Sequence, residues 1–373
     1  MKIPLRVSWC AGADWSQWRR IGHGRWKMTG KPPRVSLLAL PQTEPSILMG
    51  VYDVLWSAGV VYPRLTGEGL GRRLFRPRIV GLTREPFRTM TGAKIVPDAA
   101  IGEVARTDIL FVPTIFANSI ATLRGIDRRA IAWIREMYDA GAAVYASCGG
   151  VMLLAEAGLL DGGAATIHWS FVRTFEQAFP NVRLYPSRAL VQSGPGQTIV
   201  SSGGGSAWQD LVLYVVARHA GEAEAMKLAK VFHFRSHAEG LSPYAGLLQR
   251  TQHRDALVGR CQAWLAENYD SEQPIARLIA RTGLPERTFA RRFRKATGYA
   301  PKAYLQNLRI EESKQLLETT DMPVEDVAAA VGYADPSYMR SLFKRLVGIT
   351  PAEYRRRFRL PTAHVPNIET LAG

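Results

Sequence analysis

One helical pattern occurs twice in the last third of this 373-residue chain. The first copy covers residues 275–309 and the second covers residues 324–359. Equivalent residues lie 49 positions apart before the turn, as for Gly283 and Gly332, and 50 positions apart after it. Self-similarity at a fixed period indicates one supersecondary unit that is used twice.

Each copy predicts a short helix, a turn that contains glycine, and a second helix, which is the pattern of a helix-turn-helix. The second helix of each copy is amphipathic at about 100° per residue. Its apolar face contains Phe289 and Phe293 in the first copy and Met339 and Phe343 in the second copy. A single arginine-rich helix is more often a solvated surface. Two copies in register favour helices that enter the DNA major groove, where arginine pairs with guanine.

The side chains expected to contact DNA lie on the polar faces of these two helices. They are Arg287, Arg291, Arg292, Arg294, Lys295, Ser337, Arg340, Ser341, Lys344 and Arg345. We expect Arg287, Arg291 and Arg340 to reach base edges. Salt-sensitive phosphate contacts are expected from Arg292, Lys295, Arg345 and the arginines at 355–357.

The C-terminal repeat resembles the DNA-binding domain of AraC/XylS-type transcription regulators. The resemblance rests on ERTFARRFRKATGYAPKAYLQNLR, the link ESKQLLETT, and DMPVEDVAAAVGYADPSYMRSLFKRLVGITPAEYRRRF. It implies that a rigid helix, here 301–317, holds both recognition helices on one face of the DNA, about 34 Å apart. The family usually has Ser then Arg where this chain has Arg340 then Ser341, which leaves the base preference of the second half-site open.

From Arg34 onward, apolar strands alternate with helices, which predicts a parallel sheet covered on both faces. The fold class expected is therefore a doubly wound α/β domain, flavodoxin-like or amidotransferase-like, followed by the all-α domain with two helix-turn-helix units. Strands are predicted over 34–40, 78–82, 109–115 and 142–146, and helices over 50–58 and 127–140.

The sharpest feature of this first domain is SCGG, residues 147–150, between the strand AAVYA and the helix VMLLAEAGLL. Small neighbours permit the strained turn of a nucleophile elbow. A helix N-terminus lowers the pKa of a cysteine, so we expect a lowered pKa for Cys148. His168 follows twenty residues later, and Glu44 lies after the first strand, although its spacing to the predicted helix is too long.

The stretch SCGGVMLLAEAGLLDGGAATIHW resembles the class I glutamine-amidotransferase-like fold of the PfpI superfamily. In enzymes of that superfamily the elbow cysteine works with a nearby histidine and often an acid. Cys148 and His168 match two of these positions. Because a nucleophile needs an oriented base, the incomplete set predicts no enzyme but a vestigial site or a ligand pocket. A small residue retained at a tight turn is the structural alternative.

The fusion of the two domains resembles the GlxA subgroup of AraC-type regulators, in which the first domain senses ligands and dimerises. Effectors in that subgroup are often small nitrogen compounds, such as amino acids and quaternary amines. Trp169 and Trp208 could offer π faces to a cation, although tryptophans more often belong to the core. We therefore expect a homodimer with a small-molecule effector, no cofactor and no metal.

The expected boundaries are a basic extension over 1–33, a sensory domain over 34–234, a linker over 235–254, a DNA-binding domain over 255–360 and a tail over 361–373. The extension is either a flexible arm or sequence upstream of the true start codon. Cys10, Cys148 and Cys261 show no metal-ligand spacing and suit a reducing cytosol. No apolar run approaches about 18 residues, so a cytoplasmic location is expected.

The leading hypothesis is a ligand-controlled transcription regulator, an activator that works with RNA polymerase. The net charge of +16 favours a polyanionic partner, here double-stranded DNA. Two alternatives stay open: a Cys-dependent hydrolase or aldehyde-processing enzyme with an accessory DNA-binding domain, and an architectural DNA binder without a ligand.

Overall fold

The structure is a computed structural model that describes residues 31–117, 119–246, 253 and 255–359. The chain divides into two compact units between Leu241 and Ser242. Nearly all of the predicted basic extension and the whole C-terminal tail lie outside the described residues.

The first unit is built on a seven-stranded sheet with the order β10-β11-β7-β6-β1-β2-β5. The sheet is parallel except for the antiparallel pair β10–β11, and β3–β4 and β8–β9 form two small ribbons. The strands are β1 (Arg34–Leu38), β2 (Arg76–Gly81), β3 (Phe87–Arg88), β4 (Lys94–Ile95), β5 (Ala99–Ala100), β6 (Ile109–Val112), β7 (Ala143–Ser147), β8 (Ala164–Ala165), β9 (Arg183–Leu184), β10 (Leu190–Ser193) and β11 (Ile199–Ser202).

Helices cover both faces of this sheet. They are α1 (Pro45–Ser57), α2 (Val61–Thr66), α3 (Ile120–Arg124), α4 (Arg128–Asp139), α5 (Gly150–Glu156), α6 (Val172–Ala178), α7 (Ala207–Ala220) and α8 (Glu222–Val231). Successive strand residues point to opposite faces: Leu38 and Leu110 join a cluster with α4 and α5, whereas Leu37 and Phe111 join a cluster with α1, α7 and α8. The predicted doubly wound α/β fold is confirmed.

Two boundaries of the first unit differ from those expected. Helix α1 begins at Pro45 rather than at Gly50, because proline is favoured at the first helical position. Part of the predicted linker packs with the first unit, since the Leu241 N–H donates to the Ser187 carbonyl at 2.8 Å and His237 is buried.

The second unit is all helical and contains the repeat. Its helices are α9 (Ala256–Asn268), α10 (Pro274–Thr282), α11 (Glu286–Thr297), α12 (Pro301–Thr319), α13 (Val324–Ala330), α14 (Pro336–Val347) and α15 (Pro351–Phe358). Helices α10 and α11 form the first helix-turn-helix, and α13 and α14 form the second. Each has its own apolar core, which contains Phe289 and Phe293 in the first and Met339 and Phe343 in the second.

Helix α12 belongs to both cores. Its first half supplies Tyr304 and Leu308 to one core, and Ile310 and Leu317 extend into the other. Between them lies the buried Arg309, whose Nε donates to the Tyr269 carbonyl at 2.7 Å and whose guanidinium covers the Tyr333 ring. The helix predicted to join the two helix-turn-helix motifs is therefore present, and it is anchored at its centre.

Across the described ranges, the structure contains no helix with the length and apolar character needed to cross a bilayer. In the same residues, no group of three or more His, Cys, Asp or Glu side chains is placed to hold a metal ion.

Candidate nucleic-acid interface and the Cys148 site

The recognition helix of the first repeat, α11, separates apolar and cationic side chains as the sequence predicts. Phe289 and Phe293 are fully buried, with their ring centroids 5.5 Å apart. Arg287, Arg291 and Arg294 are exposed on the other side. None of these three guanidinium groups forms an ion pair with a residue that the structure describes, so all three are available to an anionic partner.

Arg292 of α11 differs from its neighbours because it has a carboxylate partner. Its Nε and Nη2 donate to the Asp255 carboxylate at 2.7 and 3.0 Å. Asp255 also accepts from the Val258 N–H and so caps α9. The hydrogen bond from Arg292 is the main reason why the pKa of Asp255 falls to about 2. Arg292 therefore ties α9 to α11, while Lys295 is exposed in the last turn.

The recognition helix of the second repeat, α14, has the same division. Asp335 accepts from the Ser337 N–H at 2.8 Å and caps the helix. Met339 and Phe343 are fully buried. The polar candidates from the sequence are all exposed: Ser337, Arg340, Ser341, Lys344 and Arg345.

Arg340 is held in place by a residue of the neighbouring helix. Its Nη1 donates to Glu325 Oε1 at 2.5 Å, and its Nη2 donates to Ser337 Oγ at 3.1 Å. Glu325 lies in the first turn of α13. Glu325 was not among the residues predicted from the sequence. The sequence signal for it was an acidic residue on α13, the first helix of the second helix-turn-helix, opposite an arginine on the second helix, α14.

The three arginines of α15 have different surroundings. Arg355 is half-buried and donates to the Met322 carbonyl, whereas Arg356 is exposed. Arg357 donates to the Tyr244 hydroxyl. Phosphate contacts were expected from all three, and the half-buried Arg355 is the least exposed of them.

Cys148 occupies the predicted strained turn between β7 and α5. Its φ of +50° lies in the left-handed region, which is unfavourable for a residue with a side chain. The next two residues must be glycines, because a Cβ on Gly149 would lie 2.0 Å from the Ile115 carbonyl oxygen and one on Gly150 would lie 2.3 Å from that of Pro113. The elbow geometry is thus fixed by close backbone packing.

The expected lowering of the Cys148 pKa is wrong. The side chain is 5% exposed, and burial raises the pKa of the thiol to about 12. Hydrogen bonds from the Gly149 backbone, the Thr114 side chain and the His168 backbone oppose this shift, and the nearby charge of Glu44 adds to it. Desolvation of the thiolate outweighs the favourable field at the helix N-terminus.

Two further residues belong to the Cys148 site. Glu44 is the N-cap residue of α1, its N–H donates to the Thr114 carbonyl at 2.9 Å, and its carboxylate accepts from Ser46. The sequence spacing made Glu44 look too distant because the helix start was placed at Gly50. Thr114 was missed; its signal was a polar residue just after β6, the strand that pairs with β7.

The remaining candidates lie around this turn at different depths. The His168 ring is half-buried, with Nδ1 2.7 Å from Ser170 Oγ, and within the described residues it makes no side-chain hydrogen bond to Cys148. The Trp169 ring lies against it, with centroids 5.1 Å apart. Trp208 packs instead over α1 at Gly50 and edge-on to Phe234.

Comparison with known proteins matches both units. A DJ-1/PfpI family model matches residues 47–207, and a helix-turn-helix domain model matches residues 278–357. The transcriptional regulator GbdR of Pseudomonas aeruginosa is 24% identical over 85% of this chain and 84% of its own length. The regulator GlxA of Rhizobium meliloti is 27% identical over 60% of this chain and 68% of its own.

The chain belongs to the AraC-type regulators that carry a DJ-1/PfpI domain. The family resemblance found in the sequence is confirmed. The solved structure of an AraC family transcriptional regulator from Pseudomonas putida aligns over 54% of this chain and over its own full length, at 17% identity and a TM-score of 0.43.

The two family matches divide the candidate residues of this AraC-type regulator. The helix-turn-helix match encloses both recognition helices and Glu325. The DJ-1/PfpI match encloses Cys148, His168 and Trp169 but ends one residue before Trp208. Trp208 packs against α1 and Phe234, whereas Trp169 packs against His168.

Proposed function

We propose that this AraC-type regulator reads a specific double-stranded DNA site with α11 and α14. The observation that carries the proposal is the division of both helices into a buried aromatic face and an exposed cationic face. Base contacts are assigned to Arg287, Arg291 and Arg340. Lys295 and Arg345 supply phosphate contacts, which make the affinity salt-dependent.

The shared helix α12 supports a fixed arrangement of the two recognition helices. Because it enters both apolar cores and is anchored through Arg309, the two helix-turn-helix motifs of the second unit move as one body. The proposal therefore includes two successive major grooves on one face of the duplex, one helical turn apart.

We further propose that the first unit is a sensory and dimerising domain. The candidate effector site is the turn around Cys148, His168 and Trp169, and the effector class is an amino acid or a quaternary amine, for which the Trp169 ring offers a π face. A ligand there would change how a homodimer meets its two DNA sites. The regulator would act as an activator together with RNA polymerase, in the cytoplasm where its DNA lies.

The buried thiol disfavours the rival function, a Cys-dependent hydrolase or aldehyde-processing enzyme. The thiolate is the nucleophilic form, and burial raises the pKa of Cys148 to about 12. Glu44 lies near the thiol, but its negative charge disfavours the thiolate further. We propose that Cys148 does not turn over amide or α-oxoaldehyde substrates.

Selection of DNA by the full-length protein from a random pool tests the regulator function. We expect an enriched sequence with two boxes whose centres lie about 10 base pairs apart. The double variant Arg287→Ala/Arg291→Ala should lose one box and keep the other. Repeating the selection with candidate amino acids and quaternary amines tests the effector. A pool without any enriched sequence would overturn the proposal.

A further inference from the structure

A serine, a histidine and an aspartate are linked in series at the start of α7. Ser206 Oγ lies 3.0 Å from His237 Nε2, and His237 Nδ1 lies 2.5 Å from Asp210 Oδ2. His237 and Asp210 are 5% and 3% exposed, whereas Ser206 is exposed to solvent. A reachable hydroxyl is thus backed by a buried imidazole and a buried carboxylate.

The fold places these residues by two separate devices. Ser206 is the N-cap residue of α7 and Asp210 follows four positions later, so one helical turn brings both side chains to the same face. His237 comes from the segment after α8, and its backbone N–H donates to Asp210 Oδ1 at 3.2 Å. The carboxylate therefore fixes both the backbone and the ring of His237.

The hydrogen bonds determine the direction of proton movement. A carboxylate accepts hydrogen bonds, so Asp210 orients the ring with Nδ1 as the donor, and Nε2 then faces the Ser206 hydroxyl as the proton acceptor. This is the order of nucleophile, base and orienting acid that activates a serine. The N-terminal end of the 14-residue α7 adds a field that favours negative charge at Ser206.

We propose that Ser206 and His237, with Asp210 as a positioning residue, form an acyl-accepting site for small carboxylic esters or thioesters. Ser206 Oγ forms a bond to the acyl carbon as its proton passes to His237 Nε2. The bond from that carbon to the leaving oxygen or sulfur then breaks, and the leaving group takes the proton from His237. His237 Nε2 then takes a proton from water as the water oxygen bonds to the acyl carbon. The bond from that carbon to Ser206 Oγ breaks, and Oγ takes the proton back from His237. The site uses neither Cys148 nor the DNA-binding unit.

Covalent labelling of the full-length protein tests the proposal. With diisopropyl fluorophosphate, the Ser206 oxygen should bond to phosphorus with loss of fluoride, which peptide mass spectrometry detects. Ser206→Ala should give no adduct on that peptide, while the matched variant of another exposed serine in the same unit, Ser187→Ala, should label at the wild-type rate. p-Nitrophenyl acetate should leave a transient acetyl group on Ser206.

The base and the positioning residue have different expected effects. His237→Gln should slow labelling by about 100-fold or more, because general base catalysis is lost. Asp210→Asn should lower the maximal rate constant of labelling at saturating probe. The probe concentration that gives half of the maximal rate should stay the same. Circular dichroism confirms that each variant is folded. If a variant unfolds, the presence or absence of the phosphoryl adduct and of the acetyl group on wild-type Ser206 still tests the proposed acyl site.

Two results would overturn the acyl site. One is the absence of any Ser206 adduct after prolonged exposure to excess probe. The other is a folded His237→Gln variant that labels at the wild-type rate. In either case the Asp210–His237 pair only fastens the segment after α8 to α7.

Discussion

Arg340 of the second recognition helix is bonded to Glu325 of the preceding helix, with 2.5 Å between Nη1 and Oε1. Both side chains are exposed, at 43% and 60%. An exposed pair contributes little to stability. In the proposed function its consequence is geometric, because the guanidinium would approach DNA already oriented and with part of its charge balanced.

Replacing Glu325 with Gln should relax base discrimination by α14. The free Arg340 would contact phosphates and bases alike, so we expect the ratio of specific to non-specific affinity to fall by up to about 5-fold. Fluorescence anisotropy against a selected site and a scrambled site measures the ratio. The adjacent exposed acid supplies the control, and Asp326→Asn should leave the ratio unchanged. Equal ratios for both variants would contradict the orienting role.

Replacing Arg291 with Ala should cost about 1–3 kcal/mol of specific binding and leave non-specific binding almost unchanged. The reason is that its guanidinium is exposed and unpaired among the described residues. Arg292→Ala should act differently, because Arg292 also holds Asp255: it should weaken specific and scrambled sites together and lower the melting temperature. Arg124→Ala, an exposed arginine of the first unit, controls for charge. An unchanged affinity ratio for Arg291→Ala would remove its assigned role.

The two turn glycines of the repeat should respond unequally to alanine. Gly283 has a φ of +65° with open space around it, so Gly283→Ala should cost about 1 kcal/mol of backbone strain. Gly332 has a φ of +83°, and an added Cβ would lie 2.6 Å from the Asp270 carbonyl oxygen. Gly332→Ala should therefore cost roughly 3 kcal/mol. Urea unfolding of both variants measures the difference, and similar losses would contradict the packing at Gly332.

The buried His219 should make the first unit sensitive to acid. Its Nε2 lies 2.9 Å from the Tyr145 hydroxyl, and burial, then the charge of Arg218, lowers its pKa to about 4. Because the unfolded value is about 6.5, stability is complete above about pH 6.5 and falls as the pH drops towards 4. The loss should approach about 3 kcal/mol. Urea unfolding of the wild type and of His219→Gln at about pH 7 and pH 5 tests this. The free energy of unfolding should fall more between the two pH values in the wild type than in His219→Gln, which lacks the imidazole.

Cys148 should react slowly with alkylating agents. A pKa of about 12, against about 8.5 for a free thiol, leaves little thiolate at pH 8, so alkylation by iodoacetamide should be at least about 100-fold slower than for a free thiol. The rate should keep rising with pH. Peptide mass spectrometry separates Cys148 from Cys10 and Cys261. A plateau below about pH 9 would show a stabilised thiolate and revive the enzyme hypothesis.

The helical repeat was predictable because its information is local. Apolar spacing and turn glycines define α11 and α14, and the exposed face follows from the buried one. Ion pairs were not predictable in the same way. Glu325 lies 15 residues from Arg340, and Asp255 lies 37 residues from Arg292, so each pairing depends on how helices pack.

The Cys148 site shows the limit of the sequence more clearly. The elbow between β7 and α5 follows from the motif, but the sign of the thiol pKa depends on burial by neighbouring strands and loops. The position of Glu44 was misjudged because an apolar pattern locates the middle of a helix better than its first turn. Asp210 and His237 are brought together only by the return of the chain after α8.

The anchoring of α12 in two cores has a consequence for the genome as well as for the protein. If α11 and α14 bind successive major grooves as proposed, helix α12 sets the distance between them, so we expect the spacer in every target promoter to keep one length. A base substitution in either box can be compensated by an amino-acid substitution on α11 or α14. An inserted half-turn of DNA, about five base pairs, would carry one box to the far side of the duplex, beyond the reach of any single substitution.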